Sequence, residues 1–404
     1  MPVPPAPALM NDSSLAHEPS ARPAVRALMP SQIREVANAG LDEPGVLPFW
    51  FGEPDEVTPA FIRDAAAASL ARGETFYTQN FGIPELRDAI AAYASRLHGS
   101  VDSGRVAVTA SGMSALMLAV EALVSPGDRV VVVTPMWPNL VEIPKILSAD
   151  VVTVPLDFSG GRWTLDLDRL LAALTPDTRL ALINSPNNPT GWMLTAAEQA
   201  AILARCRRHG TWLVADDVYE RLTYDGSACA PSFLALADPD ERVISTNSFS
   251  KSWCMTGWRL GWLIAPPALM EDLGKLIEYN TSCSPVFVQR AGVTAIVDGE
   301  PTVARTRARY AAARDLLVGR LARLPGIDVA PPPGAMYVFF RVAGLTDSLA
   351  FCKRLVREAR LGLAPGSAFG PEGQGFIRWC FAADAARLEE GVARFAGFLA
   401  GHPR

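Results

Sequence analysis

Between Arg105 and Pro266 the chain alternates short β-branched runs with longer segments rich in Ala and Leu, and this rhythm constrains the fold more than any other feature. Short apolar runs bounded by turn residues and separated by helical segments are the pattern of an α/β layer built on a mainly parallel sheet. Seven strands are expected, at 105–109, 129–134, 151–154, 180–184, 212–215, 243–247 and 261–265. One helix is expected from Ala115, just past Gly112, to Val124. Another starts at Thr195, which forms a capping-box pair with Glu198, and stops near Gly210.

Outside this stretch the rhythm fails, before about Pro59 and after about Val293. Residues 301–321 read as one long Ala/Arg/Leu helix, and 329–342 as a Pro-rich turn followed by a strand. The expectation is a large domain over 59–292 and a smaller, discontinuous α+β domain made of 29–58 and 293–404, with a flexible leader rich in Pro, Ala and Ser over 1–28. No repeat at periods of about 20–50 residues is visible. The leader lacks the charged, apolar and small-residue order of a secretory signal. No apolar run reaches the roughly 18 residues of a membrane span. A cytoplasmic protein with no membrane partner is expected.

The formal charge of −5 and the absence of a Lys/Arg-rich run provide no basic field for nucleic acid. Six scattered cysteines without a C-x-x-C pair, in a chain with four histidines, suggest neither a metal site nor a disulfide framework. Lysine usage is more telling. Of four lysines in 404 residues, Lys251 sits in Ser248-Phe249-Ser250-Lys251-Ser252-Trp253, eight residues before Arg259 and followed by an apolar run. Lysine forms Schiff bases, and a low-dielectric setting favours the neutral amine that attacks carbonyls.

Four loops at expected strand ends, where open α/β sheets bind ligands, carry unusual residues. Ser111-Gly112-Met113-Ser114 sets a glycine and backbone N–H groups at a helix N-terminus, a site for a phosphate dianion, and Ser248 and Arg259 are positioned in sequence to add a hydroxyl and a guanidinium. Taken alone, it reads better as a structural turn. Asp216-Asp217-Val218-Tyr219 ends an apolar strand with two carboxylates and a phenol. A carboxylate buried there needs a cation, and a pyridinium nitrogen is one. On spacing alone, Asp216 as a helix N-cap and Asp217 as a surface charge fit as well. Asn184-Ser185-Pro186-Asn187-Asn188-Pro189-Thr190-Gly191 is a long, stiff turn. Trp137, in Thr134-Pro135-Met136-Trp137-Pro138, offers an aromatic face, although a lone Trp is more often core or interface filler.

Together these motifs resemble the class I/II aminotransferases, fold type I pyridoxal-phosphate-dependent enzymes of the aspartate aminotransferase-like group, over about Gly52 to Ala382. The run Ser248-Phe249-Ser250-Lys251 through Arg259-Leu260-Gly261 is similar to that family's lysine signature, and Asn188-Pro189-Thr190-Gly191 and Asp216 to Tyr219 match independently. The resemblance implies pyridoxal 5'-phosphate held by Lys251, with Asp216 on its ring nitrogen, Tyr219 and Asn188 on its phenolic oxygen, and Trp137 stacked on the ring. It further implies that Gly112, Met113, Ser248 and Arg259 hold the phosphate. Tyr77 would reach in from the other subunit of a homodimer.

Arg378, in Phe376-Ile377-Arg378-Trp379, matches the arginine that forks onto the substrate α-carboxylate, and Gly52 with Asn188 matches the rest of that clamp. Lys251, Asp216 and Tyr219 would then form the catalytic set. The implied reaction moves the amino group of an L-amino acid to a 2-oxo acid. The same scaffold also hosts carbon-sulfur β-lyases and non-catalytic regulator domains, though the stretch before the matching region here is expected to be too short for a DNA-binding module. For the substrate side chain, the segments Gln32-Ile33-Arg34 and Phe49-Trp50-Phe51 hint at an apolar or aromatic partner. A dicarboxylate would need a second cation, for which Arg26, Arg34 and Arg290 are candidates.

Overall fold

The computed structural model describes residues 20–401. Most of the expected leader, 1–19, thus lies outside the described residues. In the remainder of it, Pro23–Arg26 forms one helical turn, and Arg22 donates to the Ile146 carbonyl at 2.5 Å. Among the described residues no helix is long and apolar enough to cross a membrane.

The seven expected strands form one sheet, each within two residues of its expected bounds: β1 (Val106–Thr109), β2 (Arg129–Thr134), β3 (Asp150–Pro155), β4 (Thr178–Asn184), β5 (Trp212–Asp216), β6 (Val243–Ser248) and β7 (Gly261–Ile264). Their order is β1-β7-β6-β5-β4-β2-β3. All pairs are parallel except those of β7, which runs antiparallel to both of its neighbours. Because side chains alternate along a strand, each strand feeds two apolar layers. Val130 and Val132 face Leu116 and Val120 of the helix Gly112–Leu123, whereas Val131 and Val133 face Ile202 and Leu203 of the helix Ala196–His209.

The helix ends follow local chemistry. Ala196–His209 begins with the complete Thr195/Glu198 capping box and ends at Gly210, whose φ of 68° is the left-handed conformation that a glycine adopts without strain. Gly112–Leu123 is capped by Ser111, whose Oγ accepts from the Ser114 amide at 3.0 Å.

Register brings the unusual residues to one edge. Asn184 pairs with Asp216, and Asp216 with Thr246. Gly261 sits between Thr109 and Ser248, and a Cβ there would lie 2.4 Å from the Gly112 amide nitrogen. Only glycine at 261 lets the Ser111–Gly112 turn rest on the sheet.

A second sheet, β8 (Ile327–Asp328), β9 (Tyr337–Val342), β10 (Ala364–Pro365) and β11 (Phe376–Cys380), is antiparallel in the order β8-β9-β11-β10. Its core is aromatic, with Phe49 against Trp379 at 5.3 Å and Phe340 against Phe395 at 5.8 Å. Leu47–Pro48 pair in parallel with Leu361–Gly362 as a separate two-stranded sheet, with Leu47 packed against this core. The helix Val286–Asp298 packs Ala291 and Ala295 on Ile62 and Ile90 of the large body, so a boundary at 292–293 falls inside one helix. The chain instead crosses along Glu300–Leu321, whose Val303 packs on the large body and whose Tyr310, Leu317 and Leu321 enter the small core.

Candidate active site

The carboxyl edge of the large sheet and the facing edge of the small one enclose a cavity of about 470 Å³. Lys251, in the turn after β6, is half-buried at its floor, with Nζ donating to the Gly52 carbonyl and lying 6.0 Å from the Tyr219 ring centre. Desolvation lowers its pKa to about 8, with the Arg378 and Arg259 charges acting in the same direction. Gly52 is irreplaceable sterically, because a Cβ there would lie 1.8 Å from the Tyr337 hydroxyl.

Asp216 ends β5 facing the cavity. Burial, then the charge of adjacent Asp217, raises its carboxyl to about 7. Its side chain accepts from Asn184 Nδ2 at 3.2 Å, and no ion pair reaches it among the described residues. Asn184 Oδ1 accepts from the Asn188 amide at 2.8 Å, and Asn188 Oδ1 accepts from Arg378 Nη1 at 2.9 Å. A continuous hydrogen-bonded chain thus joins Arg378 to Asp216 through two asparagines.

Arg378, on β11, is 2% exposed yet forms no ion pair with a carboxylate among the described residues. Its guanidinium lies over Tyr337 at 4.5 Å and Phe369 at 4.9 Å, Nη2 donates to the Trp50 carbonyl, and Nε is buried without any partner. A guanidinium this buried suits an anionic partner. Tyr219 and Tyr337 share a hydrogen bond between hydroxyls at 2.7 Å, and burial pushes the Tyr219 phenol well above its ordinary value.

At the far end, a Cβ on Gly112 would sit 3.0 Å from Ser248 Cβ, so the helix terminus and Ser248 close on the same space. Ser248 Oγ donates to Ser250 Oγ at 2.8 Å. Arg259, held at a left-handed φ of 52°, donates to the Thr256 carbonyl at 2.7 Å and lines the same end. Trp137 is the half-buried N-cap of the helix Pro138–Ile146.

Behind the strand end lies a second, fully paired group. Asp217 is 3% exposed and accepts from Ser245 Oγ at 2.6 Å and Ser232 Oγ at 3.3 Å. Glu220 accepts from Tyr93 at 2.9 Å and Asn247 at 2.7 Å, and pairs with His98 at 2.6 Å. Burial alone would depress His98, but the hydrogen bond and charge of Glu220 outweigh it and raise the imidazole pKa. The surface-charge reading of Asp217 is therefore wrong, because the alternation of β5 turns it into the protein.

Gly52, Gly112, Met113, Trp137, Asn188, Asp216, Tyr219, Ser248, Lys251, Arg259 and Arg378 all line this one cavity, and Tyr77 does not. Tyr77 is 90% exposed. Of the three candidate second cations only Arg34 lines the cavity, lying over Phe51 at 4.6 Å. Arg290 is instead paired with Glu74 at 3.3 Å and Glu85 at 2.9 Å, and Arg26 lies in the short helix outside it. Of the aromatic triplet, Phe49 and Trp50 are core residues, and only Phe51 reaches the cavity. Sequence reasoning missed Tyr337 and the role of Asn184. Asn184 had a signal, since a polar residue ended an apolar strand beside Asp216. Tyr337 had none beyond its place after the Pro-rich turn.

A model of aminotransferase class I and II matches residues 46–395. The chain is 34% identical to an aspartate aminotransferase of Pyrococcus horikoshii over 92% of this chain and 95% of that one. It is 37% identical to an arginine–pyruvate transaminase of Pseudomonas aeruginosa, covering 85% and 88%. A crystal structure of an aminotransferase from Mycobacterium tuberculosis superposes with a TM-score of 0.87 at 34% identity, covering 95% of this chain and all of that one.

Proposed function

The chain belongs to the class I and II aminotransferase family, whose members use pyridoxal phosphate to pass amino groups between amino acids and 2-oxo acids, and on that premise we propose that its cavity binds this cofactor at Lys251. The observation that carries the reading is that, among the described residues, neither Asp216, its carboxyl raised by burial, nor the buried Arg378 forms an ion pair. Each lacks a partner that cofactor and substrate together supply: a pyridinium N–H for Asp216, and an α-carboxylate for Arg378. The Gly112 and Ser248 cradle beside Arg259 suits a phosphate dianion in the same way.

In this reading Lys251 anchors the cofactor covalently, Tyr219 and Asn188 bond its phenolic oxygen, and Trp137 covers its ring. Gly112, Met113, Ser248 and Arg259 hold its phosphate. When bound, pyridoxal phosphate supplies an electron sink for the pair left at the substrate α-carbon. Asp216, as the carboxylate partner of the ring nitrogen, keeps that sink charged. Arg378 forks onto the α-carboxylate, and Gly52 allows close approach. Lys251 Nζ, with its pKa near 8, takes the proton from the α-carbon near neutral pH.

Tyr77, beside the exposed Phe76, completes the phosphate site of a second copy in a homodimer; their exposures of 90% and 84% support a covered surface there. Six unpaired cysteines support a reducing, cytoplasmic setting. The test is a single amino acid mixed with cofactor-loaded protein and no oxo-acid acceptor. Stoichiometric oxo acid with loss of the cofactor's visible absorbance is expected. Pyruvate released with ammonia or a thiol would reassign the chain as a lyase.

A further inference from the structure

A second recess lies beside the first. Ser31, Met113 and Asn139 line both the 470 Å³ cavity and a neighbouring groove of about 820 Å³, so these three residues form the boundary between them. That boundary carries no charge. The Asn139 side-chain amide donates to the Met113 sulfur at 3.6 Å, and Ser31 Oγ caps the helix Gln32–Asn38 by accepting from the Arg34 amide at 3.2 Å. Beyond it the walls include Met29, Met117, Met136, Ile143 and Phe369. Among the described residues the only charged groups lining the groove are Glu142 and Lys145, which neutralise each other at 2.8 Å.

A neutral recess walled by thioethers and rings suits an apolar guest, since unbranched methionine side chains adapt to varied shapes. A carboxylate buried there would have no cation. Arg34 does not supply one, because it lies over Phe51 and is absent from the groove's lining. We infer that the groove receives the side chain of the donor amino acid, and that the preferred donors carry long unbranched or aromatic apolar side chains. The inference rests on the proposed function. With the α-carboxylate on Arg378 and the amine at Lys251, the donor side chain would reach the groove between Ser31, Met113 and Asn139, a boundary that neither group occupies.

The test uses the cofactor-loaded full chain. Alanine, 2-aminobutyrate, norvaline, norleucine, phenylalanine, aspartate and glutamate are each mixed with it, and the single-turnover loss of cofactor absorbance is followed. The second-order rate should rise about fourfold per added methylene, with aspartate at or below alanine. Equilibrium titration with the unreactive acids propionate, butyrate, hexanoate and 3-phenylpropionate should show the same slope in Kd. Met117→Trp, at a residue that lines only the groove, should lower the norleucine-to-alanine rate ratio by about tenfold. If that variant does not fold, the donor and acid series decide alone. A flat series, as expected if a second copy of the chain fills the groove, or a preference for aspartate, overturns the subsite. Donors that react without the slope overturn it alone, whereas failure to react with any donor overturns the proposed function with it.

Discussion

Asp216 and Asp217 are neighbours at the end of one strand, and the structure treats them in opposite ways. The first faces the cavity, where Asn184 is its side-chain partner and burial lifts its carboxyl to about 7. The second faces the protein, where burial and the Glu220 charge raise it to about 6 against the hydrogen bonds that Ser245 and Ser232 donate to it. The contrast extends to their surroundings. In front, Arg378 has an orphan Nε and no counter-charge among the described residues. Behind, Glu220 is bonded to Tyr93, Asn247 and His98 at once. Buried polar groups left short of partners cost stability, so a front face that tolerates them is prepared for ligands, while the back face serves the fold. The two faces are linked, because Asn247 bonds Glu220 with its amide and accepts from the Ser248 amide at 2.7 Å with its oxygen.

Variants of the front should damage chemistry and spare stability. Lys251→Ala should show the largest effect, a loss of about 10⁴-fold in amino transfer with no protein-bound imine absorbance; a yellow, active variant would break the comparison. Asp216→Ala should retain cofactor but lose about 10³-fold in turnover, at the upper range for a removed electrostatic group. Near-normal kcat in that variant would remove Asp216 from the chemistry.

Variants of the back should do the reverse. Glu220→Ala leaves His98, Tyr93 and Asn247 without their shared acceptor, so unfolding free energy should fall by about 3 kcal/mol, read by denaturant melts. An unchanged midpoint would mean that the back network is not structural.

The smallest effect expected is a pH dependence that separates the faces. Asp216, Asp217 and His98 all have folded pKa values above their ordinary ones, so the folded state binds more protons. The stability they confer is full at low pH and is lost as pH rises through those values. Glu220 is shifted downward, chiefly by His98 working against burial, and its contribution is lost only as pH falls below the ordinary glutamate range. The cofactor-free protein should therefore melt a few degrees lower, roughly, at pH 8 than at pH 5.5. Cofactor should shrink this slope by pairing with Asp216 and leave the part due to Asp217 and His98. A slope untouched by cofactor would show that Asp216 does not meet it.

Much of this was legible in the chain because its motifs are local. The seven strands follow from β-branched runs and turn residues, and Lys251, Ser248 and Arg259 lie within twelve positions of one another. What stayed hidden depends on partners far apart in sequence. Tyr337 meets Tyr219 across 118 positions, and His98 meets Glu220 across 122. Neither pairing leaves a periodicity or a spacing to read. Similarly, Phe49 and Trp50 looked like pocket residues beside Phe51, but the small core claims them.

The sequence by itself therefore determined the α/β layering and the strand ends that carry polar residues, because alternation and turn chemistry act over a few residues, while Lys251, Asp216 and Arg378 were singled out by the resemblance of their motifs to a known family. Only the tertiary structure decided which of two adjacent carboxylates faces the cavity, that Arg378 is buried there with no ion pair among the described residues, and where a methionine-walled recess lies beside it. Those are properties of burial and register, set by segments distant in the chain packing against one another.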